Sequence, residues 1–142
     1  MRYWDSSALL PLVVLEETTG AMQSLVRADA DVITWWGSRV EAASALARLG
    51  REAALDGPAF QAAFTRLSSL AETWDEVLPS EQVRDHGIRL LRVHPLRAVD
   101  ALQLAAALVA AEYRPESLPL VTLDNRLRDA ALREGFEVLP AV

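Results

Sequence analysis

Short β-branched or aromatic segments, separated by longer helical ones, constrain this chain more than any other feature. Arg2–Trp4, Val32–Trp35, Trp74–Leu78, Leu118–Leu123 and Phe136–Leu139 have the composition of strands. Between them lie segments with helical periodicity: Ser6–Leu15, interrupted at Pro11, then Glu16–Ala28, Arg39–Arg48, Asp56–Ala71, Ser80–Leu91, Leu96–Ala111 and Asp124–Glu134. Proline inside the first should bend or divide it. Gly135 suits the C-cap of the last. Leu118–Leu123 is apolar on both sides, the mark of a strand buried in a parallel sheet. Alternation of this kind predicts an α/β fold: a three-layer α/β/α domain over residues 1–142, with a mostly parallel sheet of about five strands.

Composition bounds the chemistry. Hydrophobic residues make up 51% of the chain, enough for a substantial core. Cysteine is absent, which excludes disulfides, thiolate zinc sites and cysteine nucleophiles together. Asp5 breaks the apolar start, so the N-terminus has no signal-peptide layout. The apolar stretch Val99–Ala111 is too short to span a bilayer. A cytoplasmic protein with no membrane partner is expected. The formal charge is −6, from 14 cations against 20 anions. Such a balance argues against non-specific nucleic-acid binding, which needs cationic neutralisation of phosphates. Every cation is arginine, however, and arginine is the better residue for bidentate phosphate contact.

In parallel sheets ligands bind at the carboxyl ends of the strands. Asp5 ends the first strand and Asp124 the fourth; Glu41 lies in the first turns of the helix after the second strand, and Asp100 near the start of a helix that is otherwise apolar. Four carboxylates from distant segments could meet along one edge. Alone they would repel one another and raise their own pKa values. Hard cations, Mg²⁺ or Mn²⁺, suit oxygen-only ligands of this kind. Bound ions could activate water for phosphodiester hydrolysis without a histidine or lysine base. With only His86 and His94, both read as surface residues, a two-histidine mechanism is disfavoured.

Each acid also has a plainer reading. Asp5 and Asp124 could cap the helices that follow them. Glu41 could be a first-turn glutamate favoured by the helix dipole. Asp100 could pair with Arg97 at i,i+3. Trp35 and Trp36 read as core residues rather than base-stacking platforms.

The motifs around the acids resemble a known family. Asp5-Ser6-Ser7-Ala8-Leu9 resembles the opening of PIN domains; Arg39-Val40-Glu41-Ala42-Ala43-Ser44-Ala45-Leu46 resembles their helix with a single glutamate; Ala98-Val99-Asp100-Ala101-Leu102-Gln103-Leu104-Ala105 is similar to their most specific segment; and Val121-Thr122-Leu123-Asp124 resembles their fourth acidic position. The likeness runs through the whole chain in order and is nearest to small bacterial toxins of the VapC class. It implies a Mg²⁺- or Mn²⁺-dependent ribonuclease, acting as a homodimer and restrained by a cognate antitoxin. Asp5, Glu41, Asp100 and Asp124 would be the catalytic, metal-binding acids, supported by Ser7 and Thr122. Gln103 stands where histidine is common in relatives, and the Trp35-Trp36-Gly37 segment is unusual.

Arg39, Arg97 and Arg126 are candidates for phosphate contact, and apolar stretches around Leu9–Val14 and Val40–Leu46 for antitoxin docking. Two other readings compete. One is a catalytically silent PIN-like interaction module, whose acids are caps. The other is a phospho-receiver or phosphatase-like domain, which needs a lysine this chain lacks.

Overall fold

The structure is a computed structural model describing residues 1–141. Its strands are β1 (Arg2–Trp4), β2 (Val32–Trp35), β3 (Asp75–Val77), β4 (Leu120–Val121) and β5 (Val138–Leu139). They form one sheet in the order β3-β2-β1-β4-β5, with every neighbouring pair parallel. Seven α-helices connect them: α1 (Ser6–Leu9), α2 (Thr19–Ala28), α3 (Ser38–Arg51), α4 (Gly57–Ala71), α5 (Glu81–Val93), α6 (Ala98–Ala110) and α7 (Asn125–Glu134).

Side chains alternate across the sheet and feed two cores. Tyr3, Ile33 and Leu120 face α5, α6 and α7, while Trp4, Val32 and Val121 face α1 through α4. Helices on both faces make the three-layer α/β/α arrangement that the alternation predicts. Helix α6 is buried almost all round, from Asp100 to Leu108, because it packs on the sheet and against both α5 and α7. That explains a sequence with no polar face. Among the described residues, no helix is long and apolar enough to cross a membrane.

Local chemistry accounts for the helix ends. Pro11 converts the first helix after Leu9 into a 3₁₀ turn over Leu10–Leu12, so the expected helix to Leu15 stops early. Asp56 accepts a hydrogen bond from the Ala59 N–H at 2.8 Å and Ser80 from the Val83 N–H at 3.2 Å, each opening its helix. Gly135 closes α7 at φ 103°, the left-handed conformation glycine adopts without a Cβ penalty. The last two strands are shorter than their apolar runs suggest: only Leu120–Val121 and Val138–Leu139 pair.

Three expectations need correction. His94 is not a surface residue. It is 6% exposed, and its Nε2 lies 2.7 Å from Glu134 on α7, which also accepts from Arg89 at 2.9 Å. Trp35 is buried, but Trp36 is 52% exposed, because it lies in the turn beyond the end of β2, past the covered faces of the sheet. The proposed docking stretches are mostly consumed by the core: Leu9, Val13, Val14, Ala42 and Leu46 are buried under the sheet, leaving Val40 as the exposed one.

The Arg89–Glu134–His94 cluster ties α5 to α7. Desolvation pushes the Glu134 carboxyl up, but its contacts with Arg89 and His94 outweigh that and hold it below its ordinary value. Glu134→Ala should cost about 1–3 kcal/mol, since it strips a buried imidazole of its partner. Thermal denaturation at neutral pH checks this; an unchanged melting temperature would show the cluster to be inert.

Candidate active site

The topology places the site. The chain runs outward from β1 through β2 to β3, then returns to β4 and β5 on the other side. The switch point therefore lies between β1 and β4, where ligands of open parallel sheets bind beyond the strand ends. Asp5 leaves β1 there, its N–H still donating to the Val121 carbonyl at 3.0 Å. Asp124 follows β4 and opens α7. Glu41 comes from the first turn of α3 and Asp100 from that of α6. All four line one cleft of about 580 Å³, with Ser6, Ser7, Leu10, Ala45, Arg48 and Arg97 among its other walls. That size falls in the ordinary range for ligand clefts.

The acids are held differently. Asp5 occupies an N-cap position without a side-chain cap bond. Instead Ser7 Oγ donates to its Oδ2, as does Thr122 Oγ1 at 2.8 Å. Burial pushes its carboxyl up, the two hydroxyls pull it down, and the Asp124 charge raises it again. Ser7 also accepts from the Leu123 N–H at 3.0 Å, stitching α1 to the end of β4.

Glu41 receives Ser6 Oγ on one oxygen at 3.0 Å and Gln103 Nε2 on the other at 3.1 Å. Desolvation, with Asp5 and Asp100 nearby, raises its carboxyl to about 7 despite those two donors. Its helix starts tight against the sheet because Gly37 has no side chain: a Cβ there would lie 2.5 Å from the Trp35 indole nitrogen. This gives the unusual Trp35-Trp36-Gly37 segment a physical reason.

Asp100 and Asp124 both keep the plainer roles open to them. Asp100 Oδ2 accepts from the Arg97 N–H at 3.2 Å and from Arg97 Nε at 3.3 Å. Asp124 Oδ1 caps α7 by accepting from the Leu127 N–H at 3.1 Å. Its Oδ2 lies 3.9 Å from Arg97 Nη2, so one guanidinium stands between two of the acids. The arginine side chain is mostly exposed, and such pairs contribute about 0–1 kcal/mol.

Gln103 is the residue that sequence reasoning undervalues. It is 1% exposed, and every polar atom of it is used. Tyr3 OH donates to its Oε1 at 2.6 Å, and its Nε2 donates to Ser38 Oγ at 2.9 Å as well as to Glu41. Thr34 Oγ1 donates to the Trp4 carbonyl at 2.6 Å, so Ser38 Oγ, 2.6 Å away, donates to Thr34. The amide orientation follows: flipped, its oxygen would face the Glu41 carboxylate. Burial first, then the Asp5 and Glu41 charges, keep the Tyr3 hydroxyl protonated and donating. Gln103→Leu should cost about 2–4 kcal/mol by orphaning Tyr3 and Ser38. The double variant with Tyr3→Phe should recover part of that loss in a denaturation cycle; strictly additive losses would disprove the coupling.

Among the candidate phosphate-contacting arginines, Arg97 lines the cleft. Arg39 instead reaches Ser68 at 3.2 Å and borders a separate hollow with Trp36 and Glu76. Arg126 is not a lining residue, whereas Arg48, which the sequence reading passes over, is. The spacing 41, 44, 45, 48 on one helix face is the signal that could have found it.

An all-oxygen donor set of carboxylates and hydroxyls fits a hard divalent cation. Among the described residues, no three acidic or histidine side chains converge into a ready-made ion site. No protein-family model matches the chain, and no curated protein does.

Proposed function

We propose that this protein is a metal-dependent endoribonuclease of the PIN-domain type, the toxin of a toxin–antitoxin pair, with Asp5, Glu41, Asp100 and Asp124 as its working acids. One observation carries the reading: four carboxylates from four distant segments line one cleft at the topological switch point. The buried Asp5 and the half-buried Glu41, both with raised affinity for protons, are sites that a cation would relieve.

Asp5, Glu41, Asp100 and Asp124 would hold Mg²⁺ or Mn²⁺, which when bound supplies activation of water and stabilisation of the leaving oxygen. The chain's own residues orient those ligands. Ser7 and Thr122 fix Asp5, while Ser6 and Gln103 fix Glu41 from both sides. Arg97 neutralises Asp100 and Asp124 and is exposed enough to turn towards a substrate phosphate. In this reading Ser6 and Ser7 serve to orient Glu41 and Asp5, and the nucleophile is water. His94, tied to Glu134, and His86, packed on Tyr113, are not among the residues that line the cleft. A cognate antitoxin and a homodimer belong to the same reading.

A second reading, the catalytically silent interaction module, is favoured by the capping bond of Asp124 and the Arg97–Asp100 pair. Melting curves separate the two. Millimolar Mn²⁺ should stabilise the folded protein by about 1.5–3 kcal/mol if it lies ten- to a hundredfold above the dissociation constant. An unchanged melting temperature would favour the silent module.

A further inference from the structure

We infer that Arg48 is a phosphate-binding residue of the same cleft, holding the strand of a single-stranded RNA beside the bond to be cut. The inference rests on the nuclease reading and specifies how an acidic protein would grip a polyanion.

The cleft has two guanidinium groups on its walls, Arg97 and Arg48. They are not equivalent. Arg97 is already engaged with Asp100 and Asp124. Arg48 makes no side-chain hydrogen bond or ion pair among the described residues, and its side chain is exposed. An arginine free to present its planar fork is the side chain best matched to a phosphate.

Its placement gives the contact a direction. Glu41, Ser44, Ala45 and Arg48 follow one face of α3 and all line the cleft. Seven residues of helix put Arg48 about 10.5 Å along the axis from Glu41. On this face only the small side chains of Ser44 and Ala45 stand between them, and Leu10 also lines the cleft. The trough thus offers acids at one end, a low and partly apolar stretch in the middle, and an unpaired cation at the other. A polynucleotide strand has that alternation: a phosphate at the acids, a sugar and base over Leu10 and Ala45, and a further phosphate at Arg48. Four carboxylates line the acid end of the trough, so the strand cannot be held there by charge alone. Arg48 supplies the missing attraction.

The test is binding of a short single-stranded RNA oligonucleotide in Ca²⁺, measured by fluorescence anisotropy over a series of salt concentrations. Wild type is compared with Arg48→Ala and Arg48→Lys. Arg48→Ala should weaken binding about tenfold and reduce the salt dependence by close to one ion. Arg48→Lys should restore only part of the affinity. A set of oligonucleotides, each with one phosphate replaced by a neutral methylphosphonate, locates the contact. At one position neutralisation should weaken wild type and leave Arg48→Ala unaffected. Equal affinity and equal salt slope for wild type and Arg48→Ala would overturn the inference while leaving the nuclease reading intact. Failure of wild type to bind any oligonucleotide at low salt would overturn both. Arg48 is exposed, so its replacement leaves the core intact, and matched melting temperatures check this.

Discussion

Asp5→Asn should lower metal-dependent RNA cleavage by at least about 100-fold, the scale on which loss of one charge-stabilising group in a sheltered site is felt. The same substitution should leave the metal-free protein as stable as before, or more so. The two outcomes have one cause. Asp5 is buried at the end of β1, and burial is the largest influence raising its pKa. A neutral isostere removes that cost of burying charge. Ser7 and Thr122 carry hydroxyls that can accept as well as donate, so the amide can be satisfied in place. Activity assays beside thermal melts in EDTA decide the matter. Retained cleavage would remove Asp5 from the site, and a large drop in melting temperature would show its carboxylate to be structural.

The metal-free protein should also lose stability as the pH rises from 5 to 8. Glu41 goes from its ordinary 4.5 to about 7 in the fold, chiefly through desolvation and then through Asp5 and Asp100. A carboxyl with a raised folded pKa binds its proton more tightly folded than unfolded. Its contribution is therefore complete below about pH 4.5 and disappears as the pH climbs through 7. Asp5 acts with the same sign, beginning above its ordinary 3.8. Glu134 acts with the opposite sign but only in more acid solution, because its folded pKa is lowered. After allowance for solvent screening of the half-buried Glu41, the loss is on the order of 1–2 kcal/mol, or about 3–6 °C. Melts of wild type and Glu41→Gln across this range check it. The variant should show the flatter profile, and parallel profiles would mean that Glu41 ionises without strain. Divalent cations should reverse the slope, stabilising more at pH 8 than at pH 5, because they compete with those protons.

Much of this was legible in the sequence, and the boundary of what was legible is physical. Alternation of strand and helix periods is local, so the α/β class follows from it. The order of the strands is not local, and it is that order which puts the topological switch point, and with it the candidate site, between β1 and β4. Asp100 stood out because a carboxylate in an apolar helix needs a reason; Asp5 stood out as the end of a strand. Gln103 was equally anomalous on α6, but its meaning depends on Tyr3, a hundred residues earlier, and on Ser38 and Glu41. His94 reads as a loop residue before proline until α7 brings Glu134 against it. The apolar runs at Leu9–Val14 and Val40–Leu46 look surplus in one dimension and turn out to be core, since a sheet covered on both faces needs two. Arg48 was hidden in a common helix composition until the structure showed it lining the cleft.

The central claim is tested most directly by incubating the purified protein with structured cellular RNA in Mg²⁺, in Mn²⁺ and in EDTA, with Asp100→Asn alongside. The account predicts cleavage that requires the divalent ion and is lost in the variant. Cleavage that persists in EDTA or in Asp100→Asn would contradict it, as would intact RNA in every lane together with a melting temperature that the metal leaves unmoved.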